Sequence, residues 1–195
     1  MKTRDLTLTA IDFETTGAVR GHPDIPWQIG LVEIAGGCVT GRHAETLLHV
    51  PADRPFNPYA PGRHAALRAP LAIAPEPALC WPAWAPWLTS RPLVAHNAAT
   101  EKKILRRLAP LHTFGPWIDT LRLARHLLPA AADYTLSAVC TALNLLPRLE
   151  ALCPSRTWHD ALYDAFASAL LLETALAHPA WRDLPLETLA ALPPA

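Results

Sequence analysis

Eight residues, Ala10-Ile11-Asp12-Phe13-Glu14-Thr15-Thr16-Gly17, constrain this chain more than any others. An apolar strand ends there in two carboxylates on one face, just before a glycine turn. Side chains alternate along a strand, so Asp12 and Glu14 point one way while Ile11 and Phe13 point into a core. Two carboxylates aimed at one point repel each other unless a positive charge sits between them, and a divalent metal is the usual solution. Alone the Asp-x-Glu pair is weak, because edge strands often carry solvated acids at alternate positions.

Two further acids and a histidine give the pair its meaning. Leu93-Val94-Ala95 reads as a buried strand, and His96-Asn97 as the turn into a helix over 100–109. Glu101 falls in the first turn of that helix, where the helix dipole favours a carboxylate. Trp158-His159-Asp160-Ala161-Leu162-Tyr163-Asp164 opens a long apolar helix over 160–177. His159 and Asp164 are five residues apart, about 140° around a helix axis. They converge only if His159 precedes the helix and reaches over its N-terminus. Asp160 is suited to start the helix, whereas Asp164, among Ala, Leu, Tyr and Phe, needs a partner of its own.

In this order Asp12, Glu14, Glu101, His159 and Asp164 resemble the DEDDh family of 3′→5′ exonucleases, which includes the epsilon subunit of bacterial DNA polymerase III and RNase T. The resemblance extends to Trp27–Ile34, Asp119–Arg125 and Tyr134–Cys140, and covers roughly residues 5–178. It implies a ribonuclease H-like fold and a site for two divalent ions, Mg²⁺ or Mn²⁺. In that site Asp12 would bridge both ions, Glu14 and Asp164 would complete the water-activating position, and Glu101 would hold the second ion. His159 would be the general base, and its ordinary pKa near 6.5 suits proton transfer close to neutral pH. Thr15, Thr16 and Gly17 would seat the terminal nucleotide, with His96 and Asn97 beside it, although His96 at a strand end also suits a structural hydrogen bond. Two departures stand out: Thr100-Glu101 replaces the family's Phe-Asp, and residues 63–78 match its usual loop poorly.

The pattern of elements agrees with an α/β fold. Strands near 6–12, 28–36 and 43–50 read as an antiparallel meander. A strand at 93–96 with its helix, a strand at 117–119 with a helix over 120–128, and helices over 135–144 and 160–177 read as parallel crossovers. The expected result is a mixed five-stranded sheet, three antiparallel strands followed by parallel ones, flanked by helices. A length of 195 residues at 51% hydrophobic composition fits one domain, expected over 1–178, with a short tail over 179–195. The Pro-rich stretch 51–92 reads as a connection with a short helix, on which Trp81, Trp84 and Trp87 form a buried face. Trp27 is the better candidate for stacking on a base.

No apolar run suits a membrane span, and Met1-Lys2-Thr3-Arg4-Asp5 lacks the apolar segment of a signal peptide. Cys38, Cys80, Cys140 and Cys153 have no metal-like spacing and read as reduced thiols of a cytoplasmic protein. A formal net charge of zero argues against a general nucleic-acid binder. It leaves room for local basic faces, such as Lys102, Lys103, Arg106 and Arg107, with Arg122 and Arg125 as further candidates. The expected activity is metal-dependent 3′→5′ hydrolysis of single-stranded DNA, or RNA, to nucleoside 5′-monophosphates. The expected partners are single-stranded 3′ ends and a polymerase or repair protein, with the oligomeric state open. The alternatives are an inactive docking subunit of the same fold and an enzyme acting on dinucleotides or small phosphodiesters.

Overall fold

The computed structural model describes residues 1–193. The last two residues of the expected tail, 194–195, lie outside the described residues. Strands β1 (Thr7–Thr15), β2 (Pro26–Ala35) and β3 (Cys38–Leu47) form the antiparallel meander. The connection that follows carries helices α1 (Arg68–Ile73) and α2 (Pro77–Leu88). Strand β4 (Leu93–Ala95) leads into α3 (Ala99–Leu108), and β5 (Trp117–Asp119) into α4 (Thr120–Leu127). Helices α5 (Leu136–Ala142), α6 (Leu146–Leu152), α7 (Ala161–Ala177) and α8 (Leu186–Ala190) complete the chain.

The five strands lie in the order β3-β2-β1-β4-β5. β1 pairs antiparallel with β2, β2 antiparallel with β3, and β4 runs parallel to both β1 and β5. This is the mixed sheet expected from the sequence. The third strand starts five residues earlier than expected, because Gly36 and Gly37 both take positive φ and turn the chain back at once. A second helix in the connection, α1, and the helix α6 are also additions. Pro82 and Pro86 lie inside α2, and a proline falls in the first turn of α6. The first turn of a helix tolerates proline because its N–H groups have no intrahelical partner.

Period-two alternation divides β1 between two cores. Leu8 and Ala10 join Val32, Ile34, Val94 and Ile118 against α4, α5 and α7. Ile11 and Phe13 join Ile29, Leu31 and Leu93 against α2 and α3. Asp12 and Glu14 share the parity of Leu8 and Ala10, so they face α7. Helix α7 is buried along nearly its whole length, which explains its lack of a polar stripe. Trp181, Leu184, Leu186, Leu189 and Leu192 pack on the same core, and Thr3 bonds back to the carbonyl of Leu184 at 3.0 Å. Among the described residues no helix is long and apolar enough to cross a membrane. All four cysteines are free, Cys38 exposed and the others buried.

Candidate active site

Asp12 and Glu14 stand at the carboxyl end of β1, opposite Gly30 and Gln28 of β2. The register slips between Glu14 and Thr15, and this bulge releases Thr15–Gly17 from the ladder beside the acids. The segment is tied down on both sides. The Thr16 amide donates to the Ile25 carbonyl at 2.9 Å, and the Asn57 amide donates to the Thr16 carbonyl at 2.8 Å. Gly17 has φ +68°, and a Cβ there would come within 2.7 Å of the Asn57 side chain.

Glu101 enters from the first turn of α3 and is 3% exposed. The turn before it holds Asn97 at φ 61°. Asp119, at the end of the neighbouring strand, accepts the amides of Asn97 at 3.0 Å and Ala98 at 3.3 Å, and caps α4 through Leu121 at 3.0 Å. Its carboxylate therefore fixes the approach of Glu101 to the acids of β1.

His159 and Asp164 come from the start of α7. Asp160 caps this helix, accepting from the amides of Leu162 and Tyr163. His159 lies one residue before the cap in the left-handed region, at φ 63°. That conformation is uncommon for a residue with a Cβ and turns the imidazole back over the helix end. Its amide donates to Asp164 Oδ2 at 3.2 Å. The start of α7 is pressed against Gly30, where a Cβ would meet the Ala161 carbonyl oxygen at 2.2 Å.

One ligand atom each from Glu14, His159 and Asp164 lies within 4.8 Å of the other two. Asp12 and Glu101 surround this group at electrostatic range. Burial, followed by the charges of Asp164, Glu101 and Glu14, raises the Asp12 carboxyl well above the usual range. Glu14 is pushed up to about 8 by burial and then by Asp164. Glu101 also rises to about 8, chiefly by burial, and Asp164 to about 7 for the same first reason. Glu101 Oε2 and Asp164 Oδ1 are buried with no hydrogen-bond partner. Such atoms are costly unless a cation or a proton satisfies them. The donors are hard oxygens with one imidazole, a set suited to Mg²⁺ or Mn²⁺. Burial lowers the pKa of His159, which favours its neutral, proton-accepting form.

Several residues around the acids gave no signal of this role in the sequence. Arg63 Nη2 lies 2.6 Å from Asp160 Oδ2, although the two are 97 positions apart. Arg156 donates to the same carboxylate at 2.8 Å and to Glu45 at 2.7 Å. Gln28 donates to Glu45 at 2.7 Å and accepts the Ala161 amide at 3.2 Å. The segment that carries Arg63 passes close over the site, since a Cβ on Gly62 would lie 3.0 Å from the His159 carbonyl and 3.6 Å from Glu14 Oε2.

Two expectations are modified by these contacts. The ring nitrogens of His96 are held by Thr120 Oγ1 at 3.0 Å and the Tyr134 carbonyl at 2.9 Å, which is the structural bonding its strand-end position suggested. Trp27 is 1% exposed and donates to the Thr15 carbonyl at 3.1 Å. It supports the Thr15–Gly17 segment from beneath and offers no face for a base.

The RNase T family model, described as Exonuclease, matches residues 9–172. Exodeoxyribonuclease 10 of Escherichia coli K12 is 31% identical over 169 residues, 85% of this chain and 66% of the relative. A DNA polymerase III subunit epsilon-like protein of Rhodobacter capsulatus is 32% identical over 168 residues, 84% of this chain and 23% of the relative. The chain thus spans less than two thirds of both. Exonuclease X, solved with 5′-overhanging duplex DNA, superposes with a TM-score of 0.70 at 29% identity, covering 95% of this chain and 98% of that one.

Proposed function

The chain belongs to the RNase T exonuclease family, and on that footing we propose that it is a metal-dependent 3′→5′ exonuclease acting on single-stranded nucleic acid, with DNA favoured over RNA. The observation that carries this reading is the meeting of Glu14, His159 and Asp164 within 4.8 Å, beside buried carboxylate oxygens with no hydrogen-bond partner among the described residues. The preference for DNA rests on the names of the relatives, an exodeoxyribonuclease and an exonuclease bound to DNA. Likeness to an epsilon-like protein extends the proposal to a polymerase or repair complex as partner.

In this reading Asp12, Glu14, Glu101 and Asp164 hold two divalent ions, Mg²⁺ or Mn²⁺. Bound there, the ions supply charge stabilisation to the phosphoryl oxygens and acidify the attacking water. His159 accepts the proton of that water on a ring nitrogen as its oxygen bonds to phosphorus. The phosphorus–O3′ bond breaks, the departing oxygen takes a proton from solvent, and a nucleoside 5′-monophosphate leaves. Thr15, Thr16 and Gly17 contact the terminal sugar and select a strand end, while Asn97 borders the same opening. His96 acts behind it by fixing the end of β4 to Thr120 and Tyr134.

The test is a time course on 5′-labelled single-stranded DNA and RNA with Mg²⁺, Mn²⁺ or EDTA. A ladder shortening from the 3′ end, dependent on metal and absent in Asp12→Ala, is expected. His159→Ala should lose about 10²–10⁴ in rate, the range for a general base. Folded protein that makes no ladder under any metal would instead support a non-catalytic docking role. Cleavage confined to dinucleotides would point to the small-substrate alternative.

A further inference from the structure

A basic crevice runs along one side of α3, starting beside the acids and leading away from them. Near the site is a depression of about 370 Å³ bordered by Asn97, Lys102, Arg106, Asp119, Arg122 and Arg125. It adjoins a second, of about 430 Å³, which shares Lys102 and Arg106 and continues to Phe114 and Trp117. The two together form a path that begins at the turn below Glu101 and follows the helix to the far end of β5.

The groups along this path suit an unpaired strand. Lys102 and Arg106 are one helical repeat apart on α3 and point along both depressions. The single acid, Asp119, is occupied by three backbone amides and lies 3.9 Å from Arg122 Nε. At the distal end Trp117 is fixed by its bond to the Phe114 carbonyl at 3.1 Å, with Lys102 Nζ 5.5 Å from its ring centre. Cations followed by half-exposed aromatic faces are the combination that binds single strands, with phosphates on the charges and bases on the rings. A duplex would use only the charges. Helix α3 is ten residues long, about 15 Å, which accommodates about four stacked nucleotides at 3.4 Å each.

We infer that this crevice is a track for the single strand on the 5′ side of the nucleotide being removed. The inference rests on the exonuclease reading and adds a second, remote binding region to it. The track reconciles zero net charge with a polymer substrate, because the basic groups are gathered on one path.

Anisotropy of 5′-labelled single strands of three and twelve nucleotides tests the track directly, whether or not the chain hydrolyses anything. Arg106→Gln should weaken the twelve-mer several-fold, leave the three-mer unchanged, and reduce the slope of log affinity against log salt by about 0.7, one phosphate contact. Lys103→Gln removes the same charge from the same helix outside both depressions and should change neither. Equal effects of the two variants would overturn the track, as would an equal loss for Arg106→Gln on a blunt duplex. Hydrolysis of thymidine 5′-(p-nitrophenyl phosphate), too short to reach Arg106, reports separately on the active-site reading.

Discussion

Arg63 Nη2 lies 2.6 Å from Asp160 Oδ2, so a residue between β3 and α1 holds the carboxylate that caps α7, one position after His159. Asp160 is 1% exposed and also bound by Arg156, whereas the Arg63 side chain is 48% exposed. Losing Arg63 leaves the cap in place and should cost at most about 1 kcal/mol of stability. It frees the segment that lies over His159, so kcat should fall by about tenfold through misplacement alone. Thermal unfolding and steady-state kinetics of Arg63→Ala separate the two. Arg63→Lys, which keeps one donor, should recover part of kcat. Asp160→Ala removes the cap and two arginine contacts together and should cost about 3 kcal/mol. A Tm loss in Arg63→Ala as large as in Asp160→Ala would show that Arg63 only supports the fold.

The carboxylate cluster makes stability depend on pH and metal in a defined sense. Glu14 and Glu101 titrate near 8 and Asp164 near 7 in the folded chain, against about 4 when unfolded. The folded state therefore binds protons more tightly, and this contribution is complete below about pH 4 and lost as pH rises through 7 to 8. His96 and His159, whose pKa values burial lowers, oppose the trend only weakly, because an unfolded histidine is already half neutral at about pH 6.5 and loses the rest of its proton just above it. Tm in EDTA should fall by several degrees between pH 6.5 and 8.5. Mn²⁺ or Mg²⁺ should restore it, with the larger gain at pH 8.5, because only ionised carboxylates hold the ion. A flat metal-free profile over this window would contradict the cluster's electrostatics.

Glu101 sharpens the same conflict between stability and function. It is buried with one unpartnered oxygen, and the charge of Asp119 adds to the cost of ionising it. Glu101→Gln keeps the shape and removes the charge. In EDTA at pH 8.5 it should unfold at a higher temperature than the parent, while at pH 6.5 the two should be close. Turnover should fall by about two to three orders of magnitude, as when one preorganised electrostatic contact is lost. Greater stability with intact turnover would remove Glu101 from the proposed metal site.

The acids were legible in the sequence because ionisable groups inside apolar segments are anomalous wherever they occur. Asp12, Glu14 and Asp164 lie among Ile, Phe, Ala and Leu, and the proposed metal site is one account that covers all three. The sheet was legible because β1, β2 and β4 carry enough apolar residues to set a period. The start of β3 was not, since Thr40, Arg42 and Glu45 put polar groups along an exposed edge and leave little pattern. Helix α2 was legible as a short helix through the spacing of Trp81, Trp84 and Trp87, but its bounds were not, because Pro82 and Pro86 usually mark breaks and yet sit in its interior. The Arg63–Asp160 contact was invisible for a different reason. Arginines are ordinary in a polar connection, and nothing local says which carboxylate, 97 positions away, one of them will meet.

Gly30 gives a final test, because its need for a missing side chain comes from packing alone. An added Cβ would lie 2.2 Å from the Ala161 oxygen and 2.5 Å from the Leu162 Cα, both backbone atoms at the start of α7. Neither can rotate away, so Gly30→Ala must push the helix off the sheet. About 3 kcal/mol is expected, the upper range for overpacking, or a fall in Tm of about 10 °C for a chain of this size. The shift carries His159 and Asp164 with it, so activity should fall further than Tm implies. Gly41 is the useful contrast: its φ of +81° strains any side chain, but a Cβ there meets nothing within 4 Å. Gly41→Ala should cost only about 1 kcal/mol and leave kcat unchanged. If the two substitutions cost the same and kcat survives both, the close seating of α7 on β2 does not position His159 for the proposed reaction.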